Sequence, residues 1–228
     1  RGTNYPSLGI ATGNAPVDQN YRIEDMQFPG VKGDAIRLTS GFINAHFDNL
    51  RFDAVGGFGI HSIAVPGAFA GSFSLDGFTY AANDPGALPA KGVVCVDNLT
   101  ANSSNLGTVF INDGRIELGI PSVLPDPKWS VLVVKSLNRQ PVSPMLTNLT
   151  VQDSSGSTTD ALFRMERADG TSGGILCPVL RNVVLAGINK IFSGAMPNGV
   201  GGDQDNVPLP PGGKFVDAVL CRGMGDQA

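Results

Sequence analysis

The chain has 228 residues and a net charge of −4, with 16% charged side chains, 30 glycines and 16 prolines. That length sets one or at most two domains with a well-buried core, and the glycine- and proline-rich, charge-poor profile excludes a helical bundle or a disordered chain. No Lys/Arg run exceeds two residues and no apolar stretch nears the roughly 20 residues of a spanning helix, so neither nucleic acid nor membrane insertion is expected.

Residues 1–19 begin Arg1-Gly2-Thr3-Asn4, without an initiator Met or a signal h-region, and have the look of a linker or cap on a processed chain. A repeat then starts, apolar-x-(Asn/Asp/Gly)-apolar-x-apolar. Its copies are Ile23–Phe28, Phe47–Phe52, Leu75–Tyr80, Leu146–Val151 and Leu180–Leu185. An imperfect sixth, Asn112–Leu118, is expected to carry one extra residue. Asn, Asp and Gly tolerate left-handed backbone conformations, so the third position suits a corner between two short strands.

A second strand type alternates with the first: Ala35–Leu38, Gly59–Ser62, Gly92–Cys95, Ser130–Val133 and Leu162–Met165. Corners at 25, 49, 77, about 114, 148 and 182 make one turn 24 to 37 residues long. Insertions at 66–71, 84–89 and 121–127 account for the variation. Such coils bury their apolar sides only by stacking, about 4.8 Å apart. The expected fold is therefore all-β, a right-handed parallel β-helix over 20–192. A β-sandwich has similar strands but does not repeat one corner residue at a matched phase. Residues 193–228 read as a loop-rich cap with a last strand at 214–220.

Strand parity in the second type sets Ile36, Ile60, Val93, Val131 and Phe163 inward. Ile63, Val94, Val96, Leu132 and Val134 then form an outward apolar strip, the kind of surface that seals an oligomer. Cys95, in an apolar run, reads as a buried free thiol, one of three cysteines with Cys177 and Cys221.

The segments Lys32–Leu38, Phe47–Phe52 and Gly57–His61 resemble the β-helix body of bacteriophage tailspikes and related pectate-lyase-like proteins. The likeness covers residues 20–190, and its motifs are those of the fold. It implies a homotrimer on a virion tail, outside the cell, in contact with other virion proteins, that binds host surface polysaccharide and in many members cleaves it. The trimer would explain the apolar strip. Two other readings stand beside this one: a non-catalytic structural or adhesive protein, and a secreted polysaccharide-degrading enzyme. The motifs of secreted pectate lyases and polygalacturonases are absent.

Hydrolysing a glycan requires two carboxylates about 5–9.5 Å apart across the scissile bond. Glu117 and Asp153 are the preferred pair because both follow corners on adjacent rungs, with Asp113, Glu166 and Asp169 as further outward acids; each is otherwise a solvated carboxylate. Trp129 and Arg164 are the expected sugar contacts, although Trp129 suits a core or interface position equally well. His61 is expected outward beside Arg37 as a surface residue, and with His46 as the only other histidine no Ser-His-Asp order emerges. Gly56–Gly59 is read as a corner rather than a phosphate loop. Asp203–Asn206 has the oxygen-rich look of a calcium loop but equally of a polar loop, and no metal or cofactor is expected. Asn98, Asn102 and Asn148 head glycosylation sequons, and the corner role already accounts for Asn148.

Overall fold

A computed structural model describes residues 9–11, 19–39, 42–63, 70–82, 91–98, 109–119, 129–136, 144–154, 159–166, 175–176, 178–188, 190–194, 211–219 and 222–223. The described residues contain no α-helix. In chain order the strands are β1 (Ile10–Ala11), β2 (Gln19–Glu24), β3 (Gln27–Phe28), β4 (Ile36–Leu38), β5 (Phe42–Asp53) and β6 (Phe58–Ile63). They continue as β7 (Ala70–Ala82), β8 (Gly92–Asn98), β9 (Val109–Leu118), β10 (Trp129–Ser136), β11 (Met145–Asp153) and β12 (Thr159–Glu166). The last are β13 (Ile175–Leu176), β14 (Val179–Ala186), β15 (Phe192–Gly194), β16 (Lys214–Val219) and β17 (Arg222–Gly223).

Two large sheets take these strands alternately. The first runs β1-β4-β6-β8-β10-β12-β15 and the second β2-β5-β7-β9-β11-β14-β16, with β3 also on β5. Every pairing in them is parallel except β14 with β16. The corner-bearing repeat supplies the second sheet and the other strand type the first. The expected last strand is β16. Laid antiparallel on β14, it covers the edge that a parallel neighbour would otherwise have to pair.

The corners lie at Asp25, Asn49, Gly77, Asp113, Asn148 and Asn182, all with φ between 49° and 58°. The sixth repeat thus turns at Asp113, and it carries no extra residue. Gly114 occupies the apolar position, opposite Phe78 and Leu149. A Cβ there would run into the Phe78 ring and come within 2.8 Å of Leu149 Cδ2, so glycine is what lets the larger neighbours fill the core.

One apolar cluster draws on both sheets. Phe47, Leu75, Ile111, Leu146 and Leu180 stack before the corner, and Phe52, Tyr80, Ile116, Val151 and Leu185 after it. The Phe28 and Phe52 rings stack at 5.5 Å, and Trp129 packs 5.7 Å from Tyr80.

The first sheet departs from the expected parity. Ile60 lies opposite Val94, Val94 opposite Leu132, and Leu132 opposite Phe163. Val94, Val96, Leu132 and Val134 are therefore core residues, each at most 3% exposed, and not an outward strip. Ile63 stands apart from them, half-buried and opposite Asp97. The outward row is Arg37, His61, Cys95, Val133 and Arg164. Most of that row is itself covered: Cys95 and Val133 form a small second cluster with Phe58, and Arg164 is also buried, while Arg37 stays 40% exposed. A sheet buried on both faces has no apolar–polar alternation, which is why parity misled at Val93–Val96 and Val131–Val134.

Candidate functional site: a polar groove on the open sheet face

The outer face of the second sheet is the one open to solvent among the described residues, whereas that of the first is largely buried. The corner residues form a ridge along it. Asn49 Nδ2 donates to Asp25 Oδ1 at 2.7 Å, Asn148 to Asp113 at 2.8 Å, and Asn182 to Asn148 Oδ1 at 2.9 Å. Left-handed geometry and side-chain amide bonds to a carboxylate or amide oxygen of the neighbouring layer thus reinforce each other.

Gly77 interrupts this ladder because it has no side chain to offer. A shallow groove of about 640 Å³ lies there. Asn49 and Arg51 line one side, Gly77 and Thr79 the floor, and Asp113, Arg115 and Asn148 the other side. Arg51, Thr79 and Arg115 are in register on three consecutive strands. Arg51 Nε bonds Asp53 Oδ2 at 2.7 Å, and Arg115 pairs with Glu117. Both guanidinium groups stay well exposed. On the other flank of the ridge Glu24, Asp48 and Asp76 stand in register, with Asp76 accepting a 2.7 Å bond from Asn112. The same outer face thus carries an arginine flank and an acidic flank.

A second polar cluster sits on the first sheet. Asp34 Oδ2 accepts from Arg37 Nε and Nη2 at 3.0 and 2.8 Å and lies 2.9 Å from His61 Nδ1, while Asp34 Oδ1 accepts from the Phe58 N–H at 3.0 Å. His61 Nε2 is 3.6 Å from Asp97 Oδ2, and Lys135 Nζ is 3.9 Å from the same oxygen. Charges thus alternate from Arg37 to Lys135. Burial by itself would lower His61, but Asp34 and Asp97 hold its pKa up, to about 11. Burial by itself would raise Asp34, but the bonds from His61, the Phe58 N–H and Arg37 hold it down, to about 2. Burial pushes the Cys95 thiol up. An imidazolium fixed this firmly is a poor general base at neutral pH, and a thiol buried and protonated beside it is a poor nucleophile. The cluster braces four strands, β4, β6, β8 and β10.

The expected catalytic pair is not brought together. Glu117 lies opposite Gln152, and Asp153 opposite Leu118, so the two point to opposite faces of the sheet. Asp153 is 4% exposed. Asp113 is tied into the ladder. Glu166 lies opposite Lys135, and Asp169 falls outside the described residues. Trp129 is fully buried and Arg164 is 5% exposed, so neither presents an open face for a sugar to stack on. His61 is beside Arg37 as expected, but ion-paired and mostly buried. Cys95 is a buried free thiol, while Cys177 and Cys221 fall outside the described residues. Asp203–Asn206 and Asn102 also fall outside them, and no group of three or more potential metal ligands occurs among those described.

Sequence reasoning missed the groove, although its signal was present. Arg51, Thr79 and Arg115 all occupy the fifth position of the repeat, which points outward just past the corner. No family model matches the chain, and no curated protein or solved structure matches it.

Proposed function

We propose that the chain is a right-handed parallel β-helix, that it forms a segment of a homotrimeric bacteriophage tailspike, and that its open sheet face binds host surface polysaccharide. The alternation of strands between two parallel sheets supports the fold, and right-handed crossovers are the rule for such connections. The trimer and the virion location rest on the resemblance to tailspikes, since four of the five residues expected to seal an interface, Val94, Val96, Leu132 and Val134, are core.

The observation that carries binding is the groove beside the corner ridge. It joins guanidinium and hydroxyl groups in register on three strands, beside the corner amides, and polar groups repeating at the strand spacing suit a ligand that is itself a repeating polyol. Hydrolysis is not part of the proposal, because the two carboxylates chosen for it face opposite ways.

Biolayer interferometry against capsule and lipopolysaccharide fractions from a panel of bacteria tests the reading. Saturable binding to at least one fraction, abolished by periodate oxidation of its sugars, is the expected result. A chain of trimeric mass that binds none of them would instead be a structural spike segment.

A further inference from the structure

We propose that the groove between Arg51 and Arg115 is a subsite for an anionic sugar, one bearing a carboxylate, sulfate or phosphate; this rests on the polysaccharide-binding reading and narrows it. The two arginines are in register on alternate strands, roughly 9–10 Å apart at the backbone, with the short Thr79 between them. A single pyranose ring with its substituent fits over Thr79 between two guanidinium groups.

Each arginine is held from behind by an acid two residues further along its own strand. Arg51 uses Nε for Asp53, and Arg115 uses Nη2 for Glu117. Both arginine side chains remain more than half exposed, 62% and 69%, which leaves guanidinium N–H groups facing solvent. Such a tethered fork suits two oxygens of one carboxylate, sulfate or phosphate, which guanidinium recognises by paired hydrogen bonds.

Charge placement points the same way. The groove lining holds two arginines and one carboxylate, Asp113, which already accepts from Asn148, while Asp53 and Glu117, the acids that pair with the arginines, stand outside the lining. Across the ridge, the in-register Asp48 and Asp76 repel an anionic polymer, beside Glu24, which is paired with Arg22. Repulsion on one flank and two guanidinium groups on the other confine such a polymer to the groove.

The test compares matched polymers by isothermal titration: polygalacturonate with its carboxyl-reduced form, and dextran sulfate with dextran. The wild-type chain should bind at least one anionic member about tenfold or more tightly than its neutral counterpart. Arg51→Gln and Arg115→Gln should each lose about tenfold, the scale of a charge-assisted hydrogen bond, with Arg51→Lys recovering part of it. Arg181→Gln, an exposed arginine on the same sheet paired with Asp217, should change nothing. Equal affinity for the neutral members, or equal losses in all three arginine variants, overturns the anionic subsite while leaving polysaccharide binding intact. Absence of binding to every polymer and every surface polysaccharide removes both.

Discussion

Asn148 donates its side-chain amide to Asp113 across 35 residues, and both hold left-handed backbone conformations. One residue type thus meets two demands, a positive φ and a bond to the next layer. Replacing Asn148 by Ala removes the bond and strains the corner, at about 2 kcal/mol in urea unfolding. Asn148→Gly keeps the corner relaxed and should cost about half as much. Equal losses in the two variants would show that the backbone conformation is not what the position selects.

Gly114 provides a second check on the packing. Restoring an apolar side chain there, as Gly114→Leu, should destabilise by about 1–3 kcal/mol because Phe78 and Leu149 already fill the space. Adding Phe78→Ala should recover part of that loss, a coupling of the kind that double-mutant cycles resolve. Strict additivity would mean that the ring does not fill the gap.

The Asp34–His61–Asp97 cluster predicts a pH profile. His61 is raised above its ordinary 6.5, so its contribution is complete below that pH and is lost as pH climbs toward about 11. Asp34 is lowered from 3.8, so its contribution is complete above that value and is lost as pH falls toward about 2. The cluster therefore stabilises most between about pH 4 and 6.5. The urea midpoint should decline steadily from pH 6.5 to 10, and His61→Asn should flatten that decline. An unchanged slope in the variant would assign it to other groups. Asp34→Asn should cost about 3 kcal/mol at neutral pH, since it leaves His61 and Arg37 short of their shared acceptor.

Val94 separates core from interface. Val94→Asp buries an unpaired carboxylate and should unfold the chain outright at room temperature, seen as loss of the far-ultraviolet β signal. A folded chain of smaller assembly size would restore the interface assignment.

Much of the fold was legible because it is written locally. A left-handed corner accepts few residue types, so Asp25, Asn49, Gly77, Asn148 and Asn182 marked the layers, and the half-exposed second sheet kept its alternation. Asp113 was displaced by one position because glycine at 114 also suits a corner. The first sheet was not legible in phase, since Val93–Val96 and Val131–Val134 are buried whichever way they point. The ion cluster was hidden for another reason. Asp34, His61, Asp97 and Lys135 meet only through the register of β4, β6, β8 and β10, and variable insertions between those strands remove any fixed spacing. The acids chosen for catalysis were selected by nearness to corners, which does not fix the face on which a side chain emerges.

The groove beside the corner ridge is the proposed binding surface for polysaccharide. Thr79 forms its floor and is exposed, so Thr79→Trp fills the groove without touching the core. The most direct measurement is the affinity of the wild-type and Thr79→Trp chains for the same polysaccharide by isothermal titration, with unfolding midpoints recorded alongside. Binding should fall at least tenfold in the variant while the midpoint holds. Undiminished binding by the filled chain would contradict the proposal and move the binding surface elsewhere.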